Sequence, residues 1–148
     1  MTASQIRNEL LGQHAEVRSR IAETRLAIER LRQGDPARDL LRSALARLAD
    51  AVRRHNEREE ELLKDLIPTV DAWGPARAEV MVDQHAKEHQ AMYSVLVEAG
   101  ATPETDTAIA LATRLVDQMV EHMVVEEKVL LGEDVLSDEL VPREYFGG

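Results

Sequence analysis

A chain of 148 residues with 18 basic and 28 acidic side chains, and so a net charge of -10, is long enough for one domain that buries about two thirds of its unfolded surface. That charge repels phosphate backbones and anionic membranes, and the lack of cysteine excludes disulfides, zinc-thiolate sites and iron-sulfur clusters, so a metal must be held by nitrogen and oxygen. With neither a basic-then-apolar leader nor an apolar run near the roughly 18 residues of a membrane span, a cytoplasmic protein with no nucleic-acid or membrane partner is expected.

Ala, Leu, Arg and Glu dominate, and glycine and proline gather at a few places, which predicts long helices. The first is expected from about Thr2 to Gln33, with Ile6, Leu10, Val17, Ile21, Ile28 and Leu31 at helical spacing and Gly34 as its stop. Asp35 before Pro36 reads as the N-cap and first turn of a second helix. That helix runs through Leu41, Leu45, Leu48, Val52, Leu62 and Leu66 to Pro68. Pro68 to Pro75 reads as a loop with Trp73 as its anchor. A third helix starts near Pro75, carries Val82, Met92 and Leu96, and stops at Gly100. Thr102 with Pro103 caps the fourth, which passes Leu111, Leu115, Met119, Val129 and Leu130 and ends at Gly132. Four such helices with short connections predict an all-α, up-down-up-down antiparallel four-helix bundle over residues 1–132. Residues 133–148 are left as a polar tail, at most a short helical turn.

Residues three and four apart share a helix face. The first apolar stripe passes Leu10, His14 and Val17, and the second passes Val52, His55, Glu59 and Leu62. The third passes Val82, His85, His89 and Met92, and the fourth Met119, His122, Glu126 and Val129. All five histidines of the chain and two glutamates are thus expected to point inward. About three sevenths of the positions of a core-facing helix lie on its stripe, so seven independent residues would all do so roughly 0.3% of the time. A single histidine on an apolar face is usually a packed core residue. A cluster that includes two carboxylates is different, because a buried carboxylate without a compensating charge costs several kcal/mol. A dication satisfies the carboxylates and the imidazoles together, and side chains at i and i+4 are about 5 to 6 Å apart at Cβ, near enough to converge on it.

Other features have blander readings. Glu57, Glu60 and Glu61 are a charge run whose helical phase points outward, and Arg18, Arg20, Arg25, Arg30 and Arg32 read as a water-facing surface. Met92, Met119 and Met123 are expected as gap-filling core. Tyr93 lies one residue off the stripe, equally readable as support for the cluster or as surface. Ferritin-like di-iron bundles need E-x-x-H on two helices, whereas the residues three before each histidine here are Leu11, Val52, Val82, Ala86 and Met119. Thiolate-free, nitrogen-rich ligation suits iron, zinc or copper.

HNEREEELL from His55 is echoed by HMVVEEKVLL from His122, and HAEVRSRI from His14 by HQAMYSVL from His89. With one H-x-x-x-E in each half, the chain resembles the hemerythrin and HHE cation-binding family over about residues 10 to 130. The resemblance implies two iron ions bridged by an oxo or hydroxo group. One would be held by His85, His89 and His122 and the other by His14 and His55, with Glu59 and Glu126 bridging. The two-histidine iron keeps an open position for dioxygen, in a pocket that the family's layout places at Gln118, Met119 and Met123. In the invertebrate oxygen carriers the last carboxylate lies five residues after its histidine, which is Glu127 here. Glu126 is favoured because it lies on the stripe, and Glu127 stays open as the alternative.

The function these residues and this resemblance imply is binding of dioxygen for storage, delivery or sensing. The alternatives are an enzyme that disproportionates peroxide or reduces nitric oxide at the same centre, and an iron-responsive interaction module.

Overall fold

In a computed structural model that describes residues 1–66, 74–129 and 131, the chain forms α1 (Ala3–Arg32), α2 (Arg38–Leu66), α3 (Gly74–Ala101) and α4 (Thr105–Val129). Pro68, Trp73, Gly132 and the tail from 133 lie outside the described residues, as do the side chains of Leu66, Val82, Val129 and Leu130.

Thr2 opens α1 with a capping box: its Oγ1 accepts the Gln5 N–H at 3.2 Å, and Gln5 Oε1 accepts the Thr2 N–H at 2.8 Å, which satisfies two backbone donors that the first turn leaves free. At the other end Gly34 takes a φ of 88°, which a side chain would strain. Its N–H donates to the Leu31 carbonyl and that of Asp35 to the Arg30 carbonyl, both at 3.0 Å. This is the Schellman pattern.

That closure corrects the expected N-cap. Asp35 completes the end of α1, and α2 begins three residues later, with the Ala37 carbonyl accepting the Leu41 N–H at 3.0 Å. Thr102 behaves alike: its N–H donates to the Glu98 carbonyl at 2.9 Å and finishes α3, whereas the Glu104 carbonyl takes the first bond of α4, from Ala108 at 3.0 Å. In both connections the polar residue before proline serves the helix behind it. Gly100 does not stop α3, which runs on to Ala101.

Each helix packs against two others, α1 on α2, α2 on α3, α3 on α4 and α4 back on α1. Glu9, Glu16 and Glu23 of α1 meet Arg58, Arg54 and Arg47 of α2 at 2.7, 2.9 and 3.1 Å, so positions rise along one helix as they fall along the other. His14 and Arg25 likewise meet Glu126 and Asp117 of α4. Exposed pairs of this kind add little stability. The apolar interior supplies it. One buried cluster joins Val17, Ile21, Leu48, Val52, Leu96, Leu115, Met119 and Met123 beside the histidines, and a second joins Ile28, Leu41, Leu45, Ala99, Ala108 and Ala112 toward the Gly34 end. On α2 the buried leucine after Glu59 is Leu63, with Leu62 only half-buried, so the stripe steps by four from His55 to Glu59 to Leu63. Among the described residues no helix is long and apolar enough to cross a membrane.

Candidate metal centre

Every helix contributes to one buried polar cluster: His14 from α1, His55 and Glu59 from α2, His85 and His89 from α3, and His122 and Glu126 from α4. His14, His55, Glu59, His89 and Glu126 are buried, and His85 and His122 are partly so.

The imidazoles turn their Nε2 atoms toward the two carboxylates. His55 Nε2 lies 2.7 Å from Glu59 Oε2. His85 Nε2 lies 2.7 Å from Glu59 Oε1 and 2.8 Å from Glu126 Oε2. His122 Nε2 is 3.0 Å from Glu126 Oε2, and His14 Nε2 shares a hydrogen bond of 2.8 Å with Glu126 Oε1. His89 Nε2 stands farther off, at 4.0 Å from Glu59 Oε1. Despite these distances, both oxygens of Glu59, Glu126 Oε2, and Nε2 of His85 and His122 are buried with no hydrogen-bond partner among the described residues. Atoms so close yet not aligned donor to acceptor face a common point, as ligand atoms do, and unpartnered buried polar atoms are costly unless something else satisfies them.

Two groups of four have ligand atoms within 4.8 Å of one another and could each hold an ion: His85, His89, His122 and Glu126, and His14, His55, Glu59 and Glu126. Glu126 belongs to both, one oxygen facing His14 and the other facing His85 and His122. Glu127 belongs to neither. It receives two hydrogen bonds from Arg18, of 2.6 and 2.9 Å, and stands 3.2 Å from His14 Nδ1.

That last contact belongs to a set that sequence reasoning missed. Gln13 Oε1 lies 2.8 Å from His55 Nδ1, Glu60 Oε1 lies 3.4 Å from His89 Nδ1, and Glu88 Oε2 lies 3.6 Å from His122 Nδ1. An oxygen at Nδ1 keeps the proton there and leaves the Nε2 lone pair free for a metal. The outward phase of Glu60 is right, since its side chain is 39% exposed, yet a long side chain reaches back to the ring. Arg18 is likewise more than water-facing surface, because it holds Glu127 in place.

Electrostatics follow from this geometry. Burial opposes protonation of His85, but the carboxylates of Glu126 and Glu59 outweigh it and push its pKa up to about 10. His14 is raised for the same reasons, by Glu126 against its burial. His89 is pulled down to about 3 by burial and by the charge of His85. Burial would raise Glu126, but His122, His14 and His85 around it hold it far below the usual carboxylate range. Arg18 foremost lowers Glu127.

Beside the cluster is a cavity with about 20 Å³ of room for the centre of a water-sized molecule, lined by Val17, Val52, His55, Asn56, His89, Met92, Met119, His122 and Met123. Met119 and Met123 line this cavity. Gln118 does not: it is exposed and outside the cavity lining, because a step of one residue from Met119 turns it about 100° around the helix. Tyr93 lines a cleft between α2 and α3, together with His89 and Glu60.

A bundle with a buried centre of imidazoles and carboxylates, and with orphaned ligand atoms facing one another, defines a metal-binding helical domain. The chain belongs to the hemerythrin HHE cation-binding domain family, whose model matches residues 5–133. No curated protein and no solved structure is similar enough to match it.

Proposed function

We propose that this protein is a non-haem di-iron protein that binds dioxygen, built as an up-down-up-down antiparallel bundle. His85, His89 and His122 would hold one iron and His14 and His55 the other, with Glu59 and Glu126 as the carboxylates shared between them. The division of the five histidines into two groups that share a carboxylate supports this ligand set. Ferrous ions held there would supply the electrons for reversible capture of dioxygen.

The observation that carries the dioxygen reading is the cavity. Besides His55, Asn56, His89 and His122, its walls are the apolar side chains of Val17, Val52, Met92, Met119 and Met123, and its size is close to the roughly 10–15 Å³ that one water-sized molecule needs. A small ligand in it stands beside both groups, since His55 of one and His89 and His122 of the other line the wall. Apolar walls also keep protons away from a captured ligand and so favour its release unchanged.

Elemental analysis, with an ultraviolet-visible spectrum of the reduced protein before and after air, tests the reading. Two irons per chain and a charge-transfer band reversed by degassing are the expected result. Two irons without that band would move the assignment to peroxide or nitric-oxide chemistry. No stoichiometric metal after anaerobic reconstitution with ferrous iron would overturn the metal assignment itself.

A further inference from the structure

Between α2 and α3 lies an open cleft of about 280 Å³, bounded by Arg53, Glu57 and Glu60 of α2 and Gln90 and Tyr93 of α3. Two residues line both this outer cleft and the inner apolar cavity, Asn56 and His89. They stand between the cleft and the cavity. Their freedom to move differs. His89 is 3% exposed, its Nδ1 is 3.4 Å from Glu60, and its ring packs on His85 at 4.2 Å between centroids. Asn56 is half-buried and makes no side-chain hydrogen bond among the described residues. The Arg53 guanidinium at the mouth is engaged by Asp50 at 3.0 Å and Glu57 at 3.3 Å, so it does not reach across to pin the amide.

We propose that the α2/α3 cleft is the way into the metal centre for small ligands and that the Asn56 side chain is its gate. A short amide with two rotatable bonds can swing on the nanosecond scale of half-exposed side chains. In one position it closes the apolar cavity, and in the other it opens the cavity to the cleft. The purpose of such a gate rests on the dioxygen reading, but its geometry does not.

Two measurements test it. In the iron-loaded chain, Asn56→Ala should raise both the association and the dissociation rate of dioxygen, each several-fold. Asn56→Leu should slow both. Rates equal to wild type in both variants, or a change in dissociation alone, would overturn the gate, the latter because Asn56 would then be touching the bound ligand. The second measurement needs no iron. Hydrogen peroxide transfers one oxygen atom to a methionine thioether, giving sulfoxide and water, and mass spectrometry of the metal-free chain can follow Met119 and Met123 against Met1, which is 67% exposed. Asn56→Ala should speed oxidation of the two inner methionines relative to Met1, and Asn56→Leu should slow it. Equal ratios in the three proteins would overturn the route. Faster oxidation in Asn56→Ala from a protein that shows no dioxygen band would uphold the route and reject only the dioxygen reading.

Discussion

His85 Nε2 sits between two carboxylates from different helices, 2.7 Å from Glu59 on α2 and 2.8 Å from Glu126 on α4. In the metal-free chain a proton on His85 stands where positive charge is wanted, which is why its pKa rises to about 10. A group raised in the folded state stabilises fully below its unfolded value, about 6.5, and that contribution is lost as pH climbs toward 10. The denaturant midpoint of the metal-free protein should therefore fall between pH 7 and 10. His89, depressed by burial, acts oppositely and removes stability as pH drops below about 6.5. Bound metal needs His85 neutral, so loading near pH 8 should release protons, measurable by calorimetry in buffers of different ionisation enthalpy. A midpoint flat from pH 7 to 10 would contradict the placement of that proton.

Glu126 and Glu127 are adjacent but differ in what they face, and substitution should separate them. Glu126→Ala removes the carboxylate that both groups share and should abolish stoichiometric metal binding. Glu127→Ala should keep the stoichiometry and lower affinity by about 10–100-fold, the usual effect of removing a partner of a ligating histidine. Arg18→Ala should act in the same direction, since Arg18 orients Glu127. Metal competition against a chromophoric chelator reads all three. Full metal binding by Glu126→Ala would refute the bridging assignment.

His55→Ala should lose most of the bound metal, because His55 stands 2.7 Å from Glu59 and belongs to the smaller histidine group. Elemental analysis decides it, and a variant that keeps its full metal would break the ligand assignment.

Leu115 is fully buried beside the histidines, and Leu115→Ala should cost about 2–5 kcal/mol of stability through lost transfer energy and a cavity. Leu26, 64% exposed, should change stability by no more than about 0.5 kcal/mol on the same substitution. Urea denaturation compares the two, and equal losses would argue against the packing described.

The sequence by itself determined the four helices of the described residues and most of their inward positions, because helical periodicity is local and burial of Leu10, Val17, Leu48 and Leu115 follows it directly. The same periodicity brought the histidines and Glu59 and Glu126 to one face. Helix ends were less legible. Asp35 and Thr102 carry strong N-cap signals, but backbone bonds that close the preceding helix claimed them first, and that competition is resolved only when both helices exist. The tertiary structure alone decided what stands behind His14, His55, His89 and His122. Gln13, Glu60, Glu88 and Arg18 lie off the apolar stripes and look like solvated surface in the sequence. Gln13, Glu60 and Glu88 reach the rings, and Arg18 reaches Glu127 beside His14, because long side chains bend across a helix-helix seam, and no periodicity within one helix encodes the distance to its neighbour.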